Sequence, residues 1–91
     1  MHFTIVPTAP SVESYAYEVA EELASNGCDV VIDIAYGNEL QWRLVAETSN
    51  VITLTKKDKQ RSTVTVFYRP ERKHTTHERD YFIRNWSHLM D

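Results

Sequence analysis

Residues 3–34 admit few folds. A short apolar stretch over 3–6 is closed by Pro7 and Pro10, a helix-spaced pattern then runs from Val12 to Leu23, and Val30-Val31-Ile32 follows shortly afterwards. In that pattern Val12, Tyr15, Ala16, Val19, Ala20 and Leu23 recur at i, i+3, i+4, i+7, leaving Glu13, Glu18, Glu21 and Glu22 to solvent. Ser11 stands where an N-cap belongs, Glu13 suits the positive first turn, and Asn26-Gly27 supplies a left-handed stop. The uninterrupted apolar run predicts a strand covered on both faces, as in a parallel sheet. Strand, helix and strand with short joints then imply a right-handed crossover.

Downstream, Leu40, Trp42, Leu44 and Val45 predict a second helix of about three turns, and residues 50–55 a third strand. Residues 56–61 read as a charged turn. Over 62–69, Val64, Val66 and Tyr68 alternate with Thr63, Thr65 and Phe67, which predicts a fourth strand. Residues 70–74 read as a basic loop, and Thr75 with Glu78 form a capping box for a last helix. Phe82, Ile83 and Trp86 give that helix its apolar stripe, expected to cover the second face of the sheet. The expected architecture is a single α/β domain over 1–91, a three-layer α/β/α unit with a mixed sheet of four or five strands in the order β-α-β-α-β-β-α. With 91 residues there is material for one core and no more.

The net charge of −3 argues against a generic polyanion binder, but its distribution is uneven. Eight acids face one base, Arg43, in residues 1–55, whereas nine lysines and arginines face five acids in 56–91. The second half is therefore cationic, with most of the excess between Lys56 and Lys73. A lone Cys28 forms no internal disulfide and reads as buried. No apolar run approaches a membrane span and no leader is read, so a cytoplasmic, membrane-free protein is expected.

Tyr15, Val19, Ala20, Leu23 and Gly27 form a Y-x-x-x-V-A-x-x-L-x-x-x-G helix, and Val30, Ile32 and Asp33 a V-x-V-D-type strand after it. In this order they resemble the first helix and second strand of the C-terminal anticodon-binding domain of class IIa aminoacyl-tRNA synthetases of the threonyl, prolyl, histidyl and glycyl type. Asn38, Glu39, Leu40, Trp42, Arg43 and Leu44 match its N-E-x-L-G-x-K-I-R segment, with Gln41 in place of the glycine and Val45 in place of a basic residue. Lys57-Asp58-Lys59 resembles its charged turn, and Thr63, Val64, Val66 and Arg69 its following strand, with Phe67 where threonyl-type members often carry an arginine. The resemblance implies a noncatalytic domain that contacts tRNA. No catalytic domain accompanies it in these residues, so a stand-alone RNA-interaction module is expected.

On this reading Lys56, Lys57, Asp58, Lys59, Arg61, Arg69, Arg72 and Lys73 gather near one rim of the sheet and meet a phosphate backbone, together with Arg43. Tyr36, Trp42, Phe67 and Tyr68 offer rings to unstacked bases. Asn38 and Glu39 follow the second strand, where open α/β sheets bind ligands and where the family reads the anticodon; equally, Asn38 caps the second helix and Glu39 favours its positive end. The competing expectation is a protein-interaction or dimerisation module, supported by the acidic first helix and the missing arginines. Neither catalysis nor a cofactor is expected. No nucleophile, base and orienter assemble, two glycines cannot build a phosphate loop, and His74, His77 and His88 lack the paired spacing of a zinc site.

Overall fold

The computed structural model describes residues 2–34, 50–68 and 73–90, with Tyr68 and Lys73 as backbone only. Five strands form one mixed sheet in the order β2-β1-β3-β4-β5. They are β1 (His2–Pro7), β2 (Asp29–Ile32), β3 (Asn50–Leu54), β4 (Thr63–Tyr68) and β5 (Lys73–Glu78), and the helices are α1 (Glu13–Ser25), α2 (Lys56–Arg61) and α3 (Arg79–Leu89). β1 runs parallel to both β2 and β3, and β3, β4 and β5 are antiparallel neighbours. The α/β class and the mixed sheet expected from the sequence are both present. The helix expected over residues 40–45 lies outside the described residues.

α1 folds as its periodicity predicts, with Tyr15, Ala16, Val19 and Leu23 buried. Its end is a Schellman closure: Gly27 at φ +89° lets its own N–H reach Ala24 O at 3.2 Å and that of Cys28 reach Leu23 O at 3.1 Å. Its start differs from expectation. Pro10–Val12 form a 3-10 turn that runs straight into the helix, so Ser11 lies inside that turn and neither N-cap position receives a side-chain bond. Proline's fixed φ starts the turn without a polar cap.

One face of the sheet carries the main core. Phe3, Ile5, Ile52, Leu54, Val64 and Val66 project into it and meet Val12, Val19 and Leu23 from the α1 side and Phe82, Ile83 and Met90 from the α3 side. Phe82 and Trp86 stand edge-on to Phe3, with centroids at 5.7 and 6.4 Å. The last helix thus shares the face of α1 instead of covering the second face. Arg79 at its first turn fixes that placement, bonding Glu22 at 2.7 Å and Glu18 at 3.4 Å while its guanidinium lies 5.6 Å from the Tyr15 ring centroid. On the second face Val6 and Val51 are buried, with Phe67 packed against them.

Three local expectations are corrected. Residues 56–61 form a short helix instead of a turn, because Thr55 and Asp58 build a complete capping box. The expected basic loop and capping box over 70–78 give way at Lys73–Glu78 to an edge strand. Thr75 bonds the His77 ring at 2.9 Å, and Glu78 precedes α3 without a side-chain cap bond. Finally, β2 is an edge of the sheet, so Val31 is half exposed instead of covered.

Candidate nucleic-acid interface

The parallel strands β1, β2 and β3 end together at one margin of the sheet, and α2 follows β3 there directly. Open α/β sheets bind ligands at such carboxyl ends. Asp58 holds α2 in place. Only 4% exposed, its carboxylate accepts from the Thr55 N–H at 2.9 Å and from the hydroxyls of Thr55, Thr63 and Thr65 at 3.0, 2.7 and 3.2 Å. A buried carboxylate is stable only with such donors, and here they tie the β3 end, the helix and β4 into one corner. Asp58, expected at the RNA surface, therefore points into the fold and acts on the surface through its neighbours.

Lys59 crosses to the 3-10 turn, donating from Nζ to Ser11 O at 2.8 Å. Lys56, Lys57 and Arg61 are exposed, and among the described residues no carboxylate pairs with them. Lys57 and Arg61 line a pocket of about 210 Å³ whose remaining wall is Thr55, Asp58, Thr63, Thr65 and Thr76. The two cations suit a phosphate, while the hydroxyls of Thr55, Thr63 and Thr65, whose hydrogens go to Asp58, keep lone pairs that can accept from a ribose hydroxyl; phosphate and sugar are the groups that most protein–nucleic-acid hydrogen bonds address. The hydroxyls were absent from the expected site. Their signal in the sequence was the Thr63 and Thr65 alternation, which sets both on one face of β4.

Among the described residues, Lys73 does not share a rim with α2. Lys73 pairs with Tyr68 at the far end of β4, about 17 Å along the strand from Thr63 at the usual rise. The Lys73 backbone and α2 therefore stand at opposite ends of β4. Arg69 and Arg72 lie outside the described residues, as do Tyr36, Asn38, Glu39, Trp42 and Arg43. Phe67 is half-buried on the second face, its ring 5.0 Å from that of His74.

A larger groove of about 690 Å³ separates α1 from α3, lined by Glu18, Glu21, Glu22, Asp80, Arg79 and Arg84 among others. Its acidic wall repels phosphate, which among the described residues leaves the α2 corner as the margin suited to a polyanion. Among the described residues no three His, Cys, Asp or Glu side chains are grouped to hold a metal ion, and no helix is long and apolar enough to cross a membrane.

The fold is shared with solved proteins. Over 97% of this chain it superposes on the structure of the RNA binding domain of threonyl-tRNA synthetase from Cryptosporidium parvum Iowa II, with a TM-score of 0.83 and 15% identity. The chain has the tRNA synthetase anticodon-binding-like fold. Prolyl-tRNA synthetase from Cryptosporidium parvum, solved with L-proline and AMP, matches with a TM-score of 0.79, also at 15% identity over 97% of this chain. This chain spans 23% and 20% of the length of those two chains. No protein-family model matches the sequence, and no curated protein matches it.

Proposed function

We propose that the chain is a noncatalytic RNA-interaction module that meets tRNA or a similar structured RNA at the α2 corner. The observation that carries the reading is that the exposed cations Lys57 and Arg61 share one pocket at the carboxyl margin of an anticodon-binding-like sheet. Lys56 extends the cationic surface, and Asp58 positions it. The acidic side of α1, where Glu18, Glu21 and Glu22 line the groove toward α3, repels a polyanion, so contact is oriented. Asn38, Glu39 and Arg43 extend the same interface on this proposal, since they follow β2, which also ends at that margin. Arg69, Arg72 and Lys73 would supply a second, separate contact. The reading requires no cofactor and places the protein in the cytoplasm with tRNA.

Fluorescence anisotropy with a mixed tRNA pool at low and moderate salt tests the proposal. Binding should weaken steeply with salt, and Lys57→Ala combined with Arg61→Ala should lower the slope of log K against log salt by about 1.5. Equal binding by the double variant at every salt concentration would remove α2 from the interface.

A further inference from the structure

The hydroxyl hydrogens beside α2 have a fixed direction, and that direction bears on which nucleic acid the corner selects. A carboxylate accepts and does not donate, and a hydroxyl has one hydrogen to give. The Asp58 carboxylate therefore takes the hydrogens of Thr55, Thr63 and Thr65, at 3.0, 2.7 and 3.2 Å. Thr65 Oγ1 also lies 3.2 Å from Thr76 Oγ1. Hydrogen bonds to a charged acceptor are stronger than neutral ones, so the Thr65 hydrogen stays with Asp58 and Thr76 is the donor of that pair. The relay runs one way, from Thr76 through Thr65 to the buried carboxylate.

The threonine wall of the pocket thus directs its hydrogens inward and offers lone pairs alone. Lys57 and Arg61, which line the same pocket, offer donors alone. Thr55 already accepts from the Asp58 N–H at 3.2 Å and Thr65 from Thr76, and Thr63 and Thr65 are half-buried. Thr76 is exposed, and its oxygen accepts from no other group among the described residues. Each hydroxyl in the relay is polarised by the bond it donates and becomes a better acceptor for the next. The negative charge behind the threonines turns a phosphate toward Lys57 and Arg61 instead. A ligand that satisfies both parts carries an anion with a hydroxyl donor beside it. At about 210 Å³ the pocket is smaller than the cavities that enclose whole small ligands, so it takes one sugar–phosphate unit without its base.

We infer that Thr76 accepts from the ribose 2′-hydroxyl of a bound nucleotide, so that the α2 corner distinguishes RNA from DNA without reading sequence. Along a DNA chain the phosphates still meet Lys57 and Arg61, but the sugars carry no free hydroxyl to donate to Thr76. This assignment rests on the α2 corner being the RNA surface, and it adds the sugar group by which that surface selects.

Fluorescence anisotropy with an anticodon stem-loop RNA and the same sequence bearing 2′-fluoro sugars tests it, because fluorine keeps the ribose pucker and removes the donor hydrogen. One neutral hydrogen bond corresponds to roughly a three- to tenfold change in Kd, and the wild-type chain should bind the fluoro probe more weakly by that factor. Thr76→Val, which keeps the branched shape and loses the hydroxyl, should bring the two Kd values together, and Thr76→Ser should retain the preference. Lys57→Ala should weaken both probes alike and leave their ratio unchanged. Equal wild-type Kd values for the two probes, with both weakened by Lys57→Ala, would overturn the inference and leave the RNA reading of the corner standing. A preference that persists in Thr76→Val would do the same. Binding of neither probe at low salt, or indifference of both to Lys57→Ala, would overturn that reading and the inference with it. The wild-type comparison stands even if a variant fails to fold.

Discussion

Asp58→Ala is the substitution that most directly loads the corner on which α2 rests. The carboxylate accepts hydroxyls from Thr63 at 2.7 Å and Thr65 at 3.2 Å, besides both the N–H and hydroxyl of Thr55. Hydrogen bonds to a charged acceptor contribute about 1.5 kcal/mol each at the lower end, and an N-terminal cap about 1 kcal/mol. The bonds share one acceptor group and do not add, and water reaches part of the corner, so the expected loss is about 3 kcal/mol. For a domain of this size that lowers Tm by roughly 12–24 °C, measured by scanning calorimetry or by circular dichroism. Asp58→Asn keeps one acceptor oxygen without its charge and should lose roughly half as much. Because the threonines bridge β3 and β4, α2 should fray in both variants before the sheet melts, and RNA affinity should fall although no cation is removed. A loss under about 1 kcal/mol for Asp58→Ala would refute the reasoning, since it would mean that the threonine hydroxyls re-form equivalent bonds without the carboxylate.

Other perturbations follow from the same geometry. Burial pushes the His77 imidazole below its ordinary pKa of 6.5. The unfolded chain therefore takes up the proton first, and stability should decline as pH falls below that value and level off beneath the folded pKa, a slope that His77→Gln should remove in pH-dependent melts. Gly27→Ala meets no atom within 4 Å, so its cost should be that of φ +89° alone, about 1 kcal/mol in a urea titration. Arg79→Ala removes the Glu22 and Glu18 pairs and the Tyr15 ring contact and should cost about 1–2 kcal/mol, with the part due to the partly exposed ion pairs shrinking at high salt; an unchanged urea midpoint would show that α3 docks through its apolar side alone.

Much of the fold was legible where sequence pattern and burial coincide. The α1 stripe, the Gly27 stop and the Val64 and Val66 alternation each specify one face, and those faces met in the core. What misled was polar sequence with two uses. Thr75 and Glu78 satisfy the wording of a capping box, yet alternation also suits them to an edge strand, and pairing with β4 decided between the two. Conversely Thr55 and Asp58 are a genuine capping box inside a run that reads as a turn, because five of the six residues of α2 are charged. Lys73 departs from the expected rim for a topological reason. Charge proximity in sequence says nothing about which end of a hairpin a residue occupies, and β4 separates Lys73 from α2 by its whole length. The threonine wall of the α2 pocket went unread because hydroxyls carry no charge signature, although their spacing was visible.

The central claim is that the α2 corner, and not the acidic α1–α3 groove, is the surface RNA meets. Amide chemical-shift mapping of the labelled protein during titration with an anticodon stem-loop pool addresses it residue by residue. The account predicts fast-exchange shifts concentrated at Lys56, Lys57, Arg61, Thr63, Thr65 and Thr76 that diminish as salt is raised. Shifts confined to Glu18, Glu21, Glu22 and Asp80, or no shifts at low salt, would contradict it.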